Sequence, residues 1–197
     1  MLEEWQYDGS NLRKLVLTNR EKQYVLGTLL GTSSLIWPKN AKNPHLQMRE
    51  SKSKGGEWLR CKAEELKRFN RKKSFILDKD SFRWNSVSDP CWKDLFNLTY
   101  KNNEKTITSQ WLDKLQDIGI MAWFIDKGQI NYKNCTIRIS RLNKESVDAC
   151  IEYFKIIDIP TIVKKNGGST VLSFEGNSKE KLLKLVSPCL PAFLRNR

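Results

Sequence analysis

The sequence predicts an α+β fold built from two tandem αββαββα repeats, and three observations carry that expectation. First, Val25 to Leu35 and Ile120 to Ile130 each read as an apolar helix with small residues four apart, then a turn, then a strand; Gly27 and Gly31 of the first copy correspond to Ala122 and Asp126 of the second. Second, the strand after each copy carries the same run of side chains. Met48 matches Ile137, Arg49 matches Arg138, Ser51 matches Ser140 and Lys52 matches Arg141. Third, the order helix, strand, strand, helix, strand, strand, helix can be traced twice along the chain.

Taken in order, Thr18 with Glu21 forms a capping box that starts the first motif helix. Small residues four apart lie on one face and let two helix backbones approach closely. Leu46 to Lys52 alternates with period two, so Leu46 and Met48 face a core while Gln47, Arg49 and Ser51 face away. A helix over about Gly56 to Phe69 follows, with Trp58, Leu59, Ala63 and Leu66 as its apolar stripe. Strands at Lys73–Asp78 and Phe82–Val87 come next, and Asp89-Pro90 opens a short closing helix. Asn97 to Lys105 is polar and without periodicity, as a linker would be.

The second half begins with an added helix from about Ser109 to Ile118. After its motif, Cys135, Ile137 and Ile139 face the core, with Thr136, Arg138 and Ser140 opposite. Asn143 caps a helix over Lys144–Ile156. Strands at Thr161–Lys165 and Thr170–Phe174 are joined through Asn166-Gly167-Gly168, a hairpin turn. Asn177 with Glu180 supplies a capping box for the last helix. The expected organisation is an N-terminal extension (1–17), a first repeat (18–98), a linker (99–108) and a second repeat (109–197).

The formal net charge is +13 over 197 residues, spread along the chain and not gathered in a tail. That favours a polyanionic partner, nucleic acid before an anionic membrane. No run of about eighteen apolar residues exists, so no membrane span is expected. The acidic, polar start is unlike a secretory signal, which points to a cytoplasmic or nucleoid-associated protein, or an organellar one. Five cysteines, far apart and without a Cys-x-x-Cys pair, with His45 as the single histidine, argue against zinc and against a disulfide framework. Trp37, Trp58, Trp84, Trp111 and Trp123 sit among apolar neighbours and read as core.

The paired motif resembles the LAGLIDADG homing endonucleases. The resemblance covers nearly everything from Thr18 to Pro188 and implies two crossed central helices with two saddle-shaped antiparallel sheets over duplex DNA. It also implies a monomer whose halves act as a fused pseudo-dimer, reading a site that need not be palindromic. In that family the residue before the last small residue of each motif is an acid that holds divalent metal. Here those positions are Thr32 and Lys127. Thr32 offers a neutral hydroxyl, and Lys127 places an ammonium where a cation belongs. Two like unit charges about 4 Å apart, at an effective dielectric near 20, repel by about 4 kcal/mol.

The expectation is therefore a sequence-specific DNA-binding protein without cleavage, without a cofactor, suited to transcriptional regulation. Gln47, Arg49, Ser51, Lys52, Thr136, Arg138, Ser140, Arg141, Lys164 and Lys165 form its expected DNA-binding set, Arg49 and Arg138 foremost because they match across the halves. Gly27, Gly31, Ala122 and Asp126 form the expected helix interface. Two alternatives stand beside this reading. One is an active Mg²⁺-dependent endonuclease using Asp126 as a displaced acid; the other is a maturase that binds intron RNA.

Overall fold

A computed structural model of the chain describes residues 15–54, 56–140 and 142–195. Thr18 caps the first helix, α1 (Asn19–Leu30), as the sequence predicts. Its hydroxyl accepts from the Glu21 amide, and the Glu21 carboxylate accepts from the Thr18 amide at 2.7 Å. The same carboxylate pairs with Arg68 at 2.6 Å, tying the start of α1 to the chain beyond the next helix. Strands β1 (Ser34–Ile36) and β2 (His45–Ser51) pair antiparallel. Helix α2 (Glu57–Glu65) is shorter than expected because a 3₁₀ turn, Lys67–Phe69, takes over its last part. Strands β3 (Asn70–Leu77) and β4 (Ser81–Ser86) complete a sheet of spatial order β1-β2-β4-β3. Helix α3 (Cys91–Thr99) begins where the Asp89 carboxylate accepts from the Cys91 amide at 2.8 Å.

The segment expected to be a structureless linker is ordered. After α3 runs on to Thr99, β5 (Tyr100–Lys101) pairs with β6 (Glu104–Lys105). Asn102 and Asn103 turn the hairpin at φ 49° and 63°, conformations that asparagine tolerates well. Two-residue strands are too short to show alternation, which is why no period marks them. The added helix is also broken. Helix α4 (Ser109–Leu112) stops, and the motif helix α5 (Asp117–Lys127) starts afresh. Gln23 of α1 stabilises the break, donating to the Lys114 carbonyl and accepting from the Gln116 amide at 2.8 and 2.7 Å.

The second repeat continues with β7 (Gly128–Ile130), β8 (Asn134–Arg138), α6 (Lys144–Ile156), β9 (Ile162–Asn166), β10 (Ser169–Glu175) and α7 (Asn177–Val186). Its sheet has the order β7-β8-β10-β9, the topology of the first. Asn143 caps α6 as expected, accepting from the Ser146 amide at 2.9 Å. The capping box expected from Asn177 and Glu180 does not form. Gly176 holds the cap position at φ 51°, without a side-chain bond.

Between the sheets' helix-facing sides lies one core, in which Met48, Trp84, Trp92, Trp111, Trp123, Ile137, Phe154 and Phe174 are all buried. Trp37 departs from its expected place, since it is 38% exposed with its edge toward Phe96. The five cysteines are free thiols, Cys135 and Cys150 fully inside. Among the described residues no helix is long and apolar enough to cross a membrane.

The central contact is α1 against α5. A Cβ added to Gly27 would fall closer than 3.0 Å to the Gly119 backbone, and one on Gly31 would meet the Asp126 side chain equally closely. So Gly31 and Asp126 are partners, as expected. Gly27 faces Gly119 instead of Ala122, because the helices cross three residues earlier on α5; Ala122 is nonetheless fully buried.

Candidate nucleic-acid interface

Each strand's alternation fixes what its outer sheet face displays. In the first sheet, Gln47 lies across from Asn85, Arg49 from Arg83 and Ser51 from Ser81, all on the side opposite Met48 and Trp84. Gln47 donates to the Asn85 side-chain oxygen at 3.0 Å, and Arg49 Nε donates to Ser81 Oγ at 2.8 Å. Asp78 accepts from Arg83 at 3.2 Å and lies 3.9 Å from Arg49. Two guanidinium groups thus share one carboxylate, leaving a net positive face whose forks are pre-oriented. Arg83 was absent from the expected set. The signal was available: Phe82 and Trp84 flank it in a predicted strand, so it must face away from them.

The second sheet differs. Arg138 is exposed, but its cross-strand neighbour is Val171. Thr136 lies on the predicted face but is only 4% exposed, opposite a buried Ser173, and presents little to a partner. Short side chains between longer neighbours are covered even on an outer face. Lys164 shares Arg138's face and is paired with Glu175. Lys165, one residue on, falls on the opposite face and donates to Thr170 Oγ1 at 2.9 Å, so it leaves the set. Ser140 accepts from the Thr170 amide at 3.1 Å, closing the end of β8. Lys52 is exposed on the 3₁₀ turn after β2 and Ser51 is exposed beside it, whereas Arg141 lies outside the described residues.

Between the sheets, at the foot of α1 and α5, is a groove lined by Thr32, Ser33, Glu50, Ser81, Lys105 and Lys127, among others. Asp126 projects beneath it and is buried. One carboxylate oxygen accepts from Thr28 Oγ1 at 2.8 Å and from both the Thr32 amide and hydroxyl at 3.0 Å. The other accepts from Trp58 Nε1 at 2.6 Å and Lys62 Nζ at 2.8 Å. Burial alone would raise its pKa, but the Lys62 charge and these donors outweigh it and hold the carboxyl below its ordinary value. Lys62 is itself fully buried, over the Trp58 ring. It occupies α2's apolar stripe, four residues after Trp58 and three after Leu59, a spacing visible in the sequence.

Lys105, at the end of β6, was also not anticipated. Its ammonium donates to the Leu29 carbonyl at 2.9 Å and the Ser33 carbonyl at 2.6 Å, capping the C-terminal end of α1. Desolvation, helped by the nearby Lys127 ammonium and opposed by Asp126, lowers its pKa to about 8.

This architecture defines a LAGLIDADG-type pseudo-dimer with altered chemistry at the helix base. The chain belongs to the LAGLIDADG DNA endonuclease family, whose model matches residues 22–182. Among solved structures it is similar to the homing endonuclease I-WcaI bound to its DNA recognition sequence, with 16% identity over 92% of this chain and 87% of that one and a TM-score of 0.81. It is also similar to I-DmoI in complex with DNA and Mn (12% identity, 85% and 96% coverage, TM-score 0.55). A third likeness is to the N-terminal LAGLIDADG domain of DUF199/WhiA (9% identity, 89% and 84% coverage, TM-score 0.51). At these identities the structures show the shared fold. No curated protein matches the sequence.

The donors at the helix base do not fit the divalent metal that the family's chemistry implies. The Thr32 hydroxyl is committed to Asp126, both Asp126 oxygens are engaged, and Lys127 brings positive charge. Among the described residues no group of three or more His, Cys, Asp or Glu side chains could hold a metal ion.

Proposed function

We propose that this chain binds a specific site in double-stranded DNA and leaves it uncut, with regulation of transcription as the role that occupancy without cleavage serves. The observation that carries the reading is the substitution of both acid positions, Thr32 and Lys127, together with an Asp126 whose oxygens already have five donors. Hydrolysis in this family needs metal to activate water and to neutralise the leaving oxygen. Removing the acids removes that chemistry while leaving the sheets' positive faces in place. The +13 charge and the arginines at 49, 83 and 138 support duplex binding. The solved relatives I-WcaI and I-DmoI, crystallised on DNA, support the same reading.

The test begins with selecting bound duplexes from a random pool. The best-bound duplex is then incubated with the protein and Mg²⁺ or Mn²⁺. The expected result is an enriched site that stays intact. Metal-dependent paired nicks near its centre, lost in Asp126→Asn, would establish the displaced-acid endonuclease instead. Preference for structured intron RNA over the selected duplex would establish the maturase.

A further inference from the structure

The geometry points to a metal-free phosphate clamp at the helix base, in which the Lys105 and Lys127 ammonium groups hold one backbone phosphate of the duplex. The inference deepens the DNA-binding reading and rests on it.

The argument starts from what each lysine can do. Lys105 is fixed by two carbonyl acceptors, Leu29 and Ser33, which take two of its three ammonium protons. An ammonium so held cannot retreat from the groove, and its remaining donor is available to a ligand. Lys127 ends α5, lines the same groove and lies near enough to Lys105 to depress its proton affinity. Two like charges held together in a partly desolvated groove are unfavourable alone and become favourable around an anion. The acids nearby do not serve as that anion. Asp126 is spent on Thr28, Thr32, Trp58 and Lys62. Glu50 is buried and accepts from the Leu59 amide at 3.2 Å. Asp80 sits in the turn before β4, its carbonyl accepting from the Lys52 amide.

A phosphodiester suits the place better than a small free anion. The groove opens between two sheets whose outer faces carry Arg49, Arg83 and Arg138, so a backbone crossing from one sheet to the other must pass over it. The same position that would call for cations to promote cleavage therefore supplies fixed cations that only bind.

The experiment measures duplex binding by fluorescence anisotropy across a salt series for the full chain and for Lys105→Met, Lys127→Met and Lys155→Met. Lys155 lies on α6 outside the groove and is the charge control. Each groove variant should bind about tenfold more weakly and lower the slope of log K against log salt by up to about 0.9, the contribution of one phosphate contact. The control should change neither. Unchanged slopes in both groove variants, with a steep wild-type line, would overturn the clamp and spare the DNA reading. A flat wild-type line would overturn both. Should Lys105→Met fail to fold, Lys127→Met carries the decision, because its substitution removes neither carbonyl contact. Inorganic phosphate titrated at constant ionic strength distinguishes a free anion: saturable displacement of duplex from wild type but not from Lys127→Met would overturn the backbone assignment.

Discussion

The two repeats share a topology and diverge most where their helices end. The first motif closes with Gly31-Thr32, small and neutral, and the second with Asp126-Lys127, both charged. These ends meet at the pseudo-twofold axis, and the first acts as a receptacle for the second: Thr28 and Thr32 donate to Asp126, and Gly31 leaves room for its side chain. The sheets diverge as well. The first displays a pair of arginines around Asp78, and the second displays Arg138 beside Val171. A fused pseudo-dimer can specialise its halves separately because no symmetry forces them to stay alike. Here one half has become the socket and the other the plug.

The plug is the place where that comparison breaks most readily. Replacing Asp126 with Asn leaves the Lys62 ammonium buried without its counter-charge. That should destabilise the fold by about 3–5 kcal/mol, the usual cost of stripping one partner from a buried pair. Adding Lys62→Met should recover much of the loss, since both charges are then gone. Urea unfolding of the single and double variants checks this. A loss below about 1 kcal/mol for Asp126→Asn would mean that the pair is not what joins the halves.

Next in size is the crossing itself. Gly27 and Ala122 occupy equivalent motif positions, yet only Gly27 has a backbone pressed against it. Gly27→Ala should therefore force the helices apart and cost about 1–3 kcal/mol or more. Ala122→Gly should cost roughly 1 kcal/mol, from helix propensity and a lost methyl. Equal thermal shifts in the two variants would remove the asymmetry.

Smaller effects are expected on the sheets, and they appear in binding. Arg49→Ala and Arg138→Ala should each weaken binding to the selected site by about 1–3 kcal/mol if the side chain reads a base. Asp78→Asn should act only through the first sheet. It releases two guanidinium groups from a competing carboxylate and should raise affinity and steepen the salt dependence. Anisotropy titrations of the three variants against one duplex separate these outcomes; weaker binding in Asp78→Asn would show that the carboxylate's orienting role outweighs its competition.

Much of this was legible in the sequence because periodicity and caps are local. Thr18 with Glu21, Asn143, and the strands carrying Met48 and Ile137 declare themselves within a few residues. The site was legible only where it repeats. Arg49 and Arg138 were found by their correspondence, whereas Lys105 sits in a hairpin whose strands are two residues long and whose function depends on α1 far away. Lys62 broke an apolar stripe and could have been singled out as a buried charge, but its partner is 64 residues along the chain. Lys165 shows the opposite error: residues adjacent in a strand take opposite faces, so it could not share Lys164's role.

The smallest expected effect concerns proton linkage in the first repeat's contribution to the groove. Lys105 titrates at about 8 in the folded chain and at the ordinary lysine value of 10.5 when unfolded. Between those values the unfolded chain binds more protons, so this group makes stability rise with pH across that window. Cys150 works against it: burial raises its pKa to about 12, so over the alkaline range the unfolded thiol ionises first and stability falls. The measurement is therefore a difference, wild type minus Lys105→Met, from unfolding curves taken at steps between pH 7 and 10.5. That difference should climb with pH and level off near the upper end. A flat difference would mean that Lys105 keeps an ordinary pKa, with its ammonium in water and not held against the end of α1.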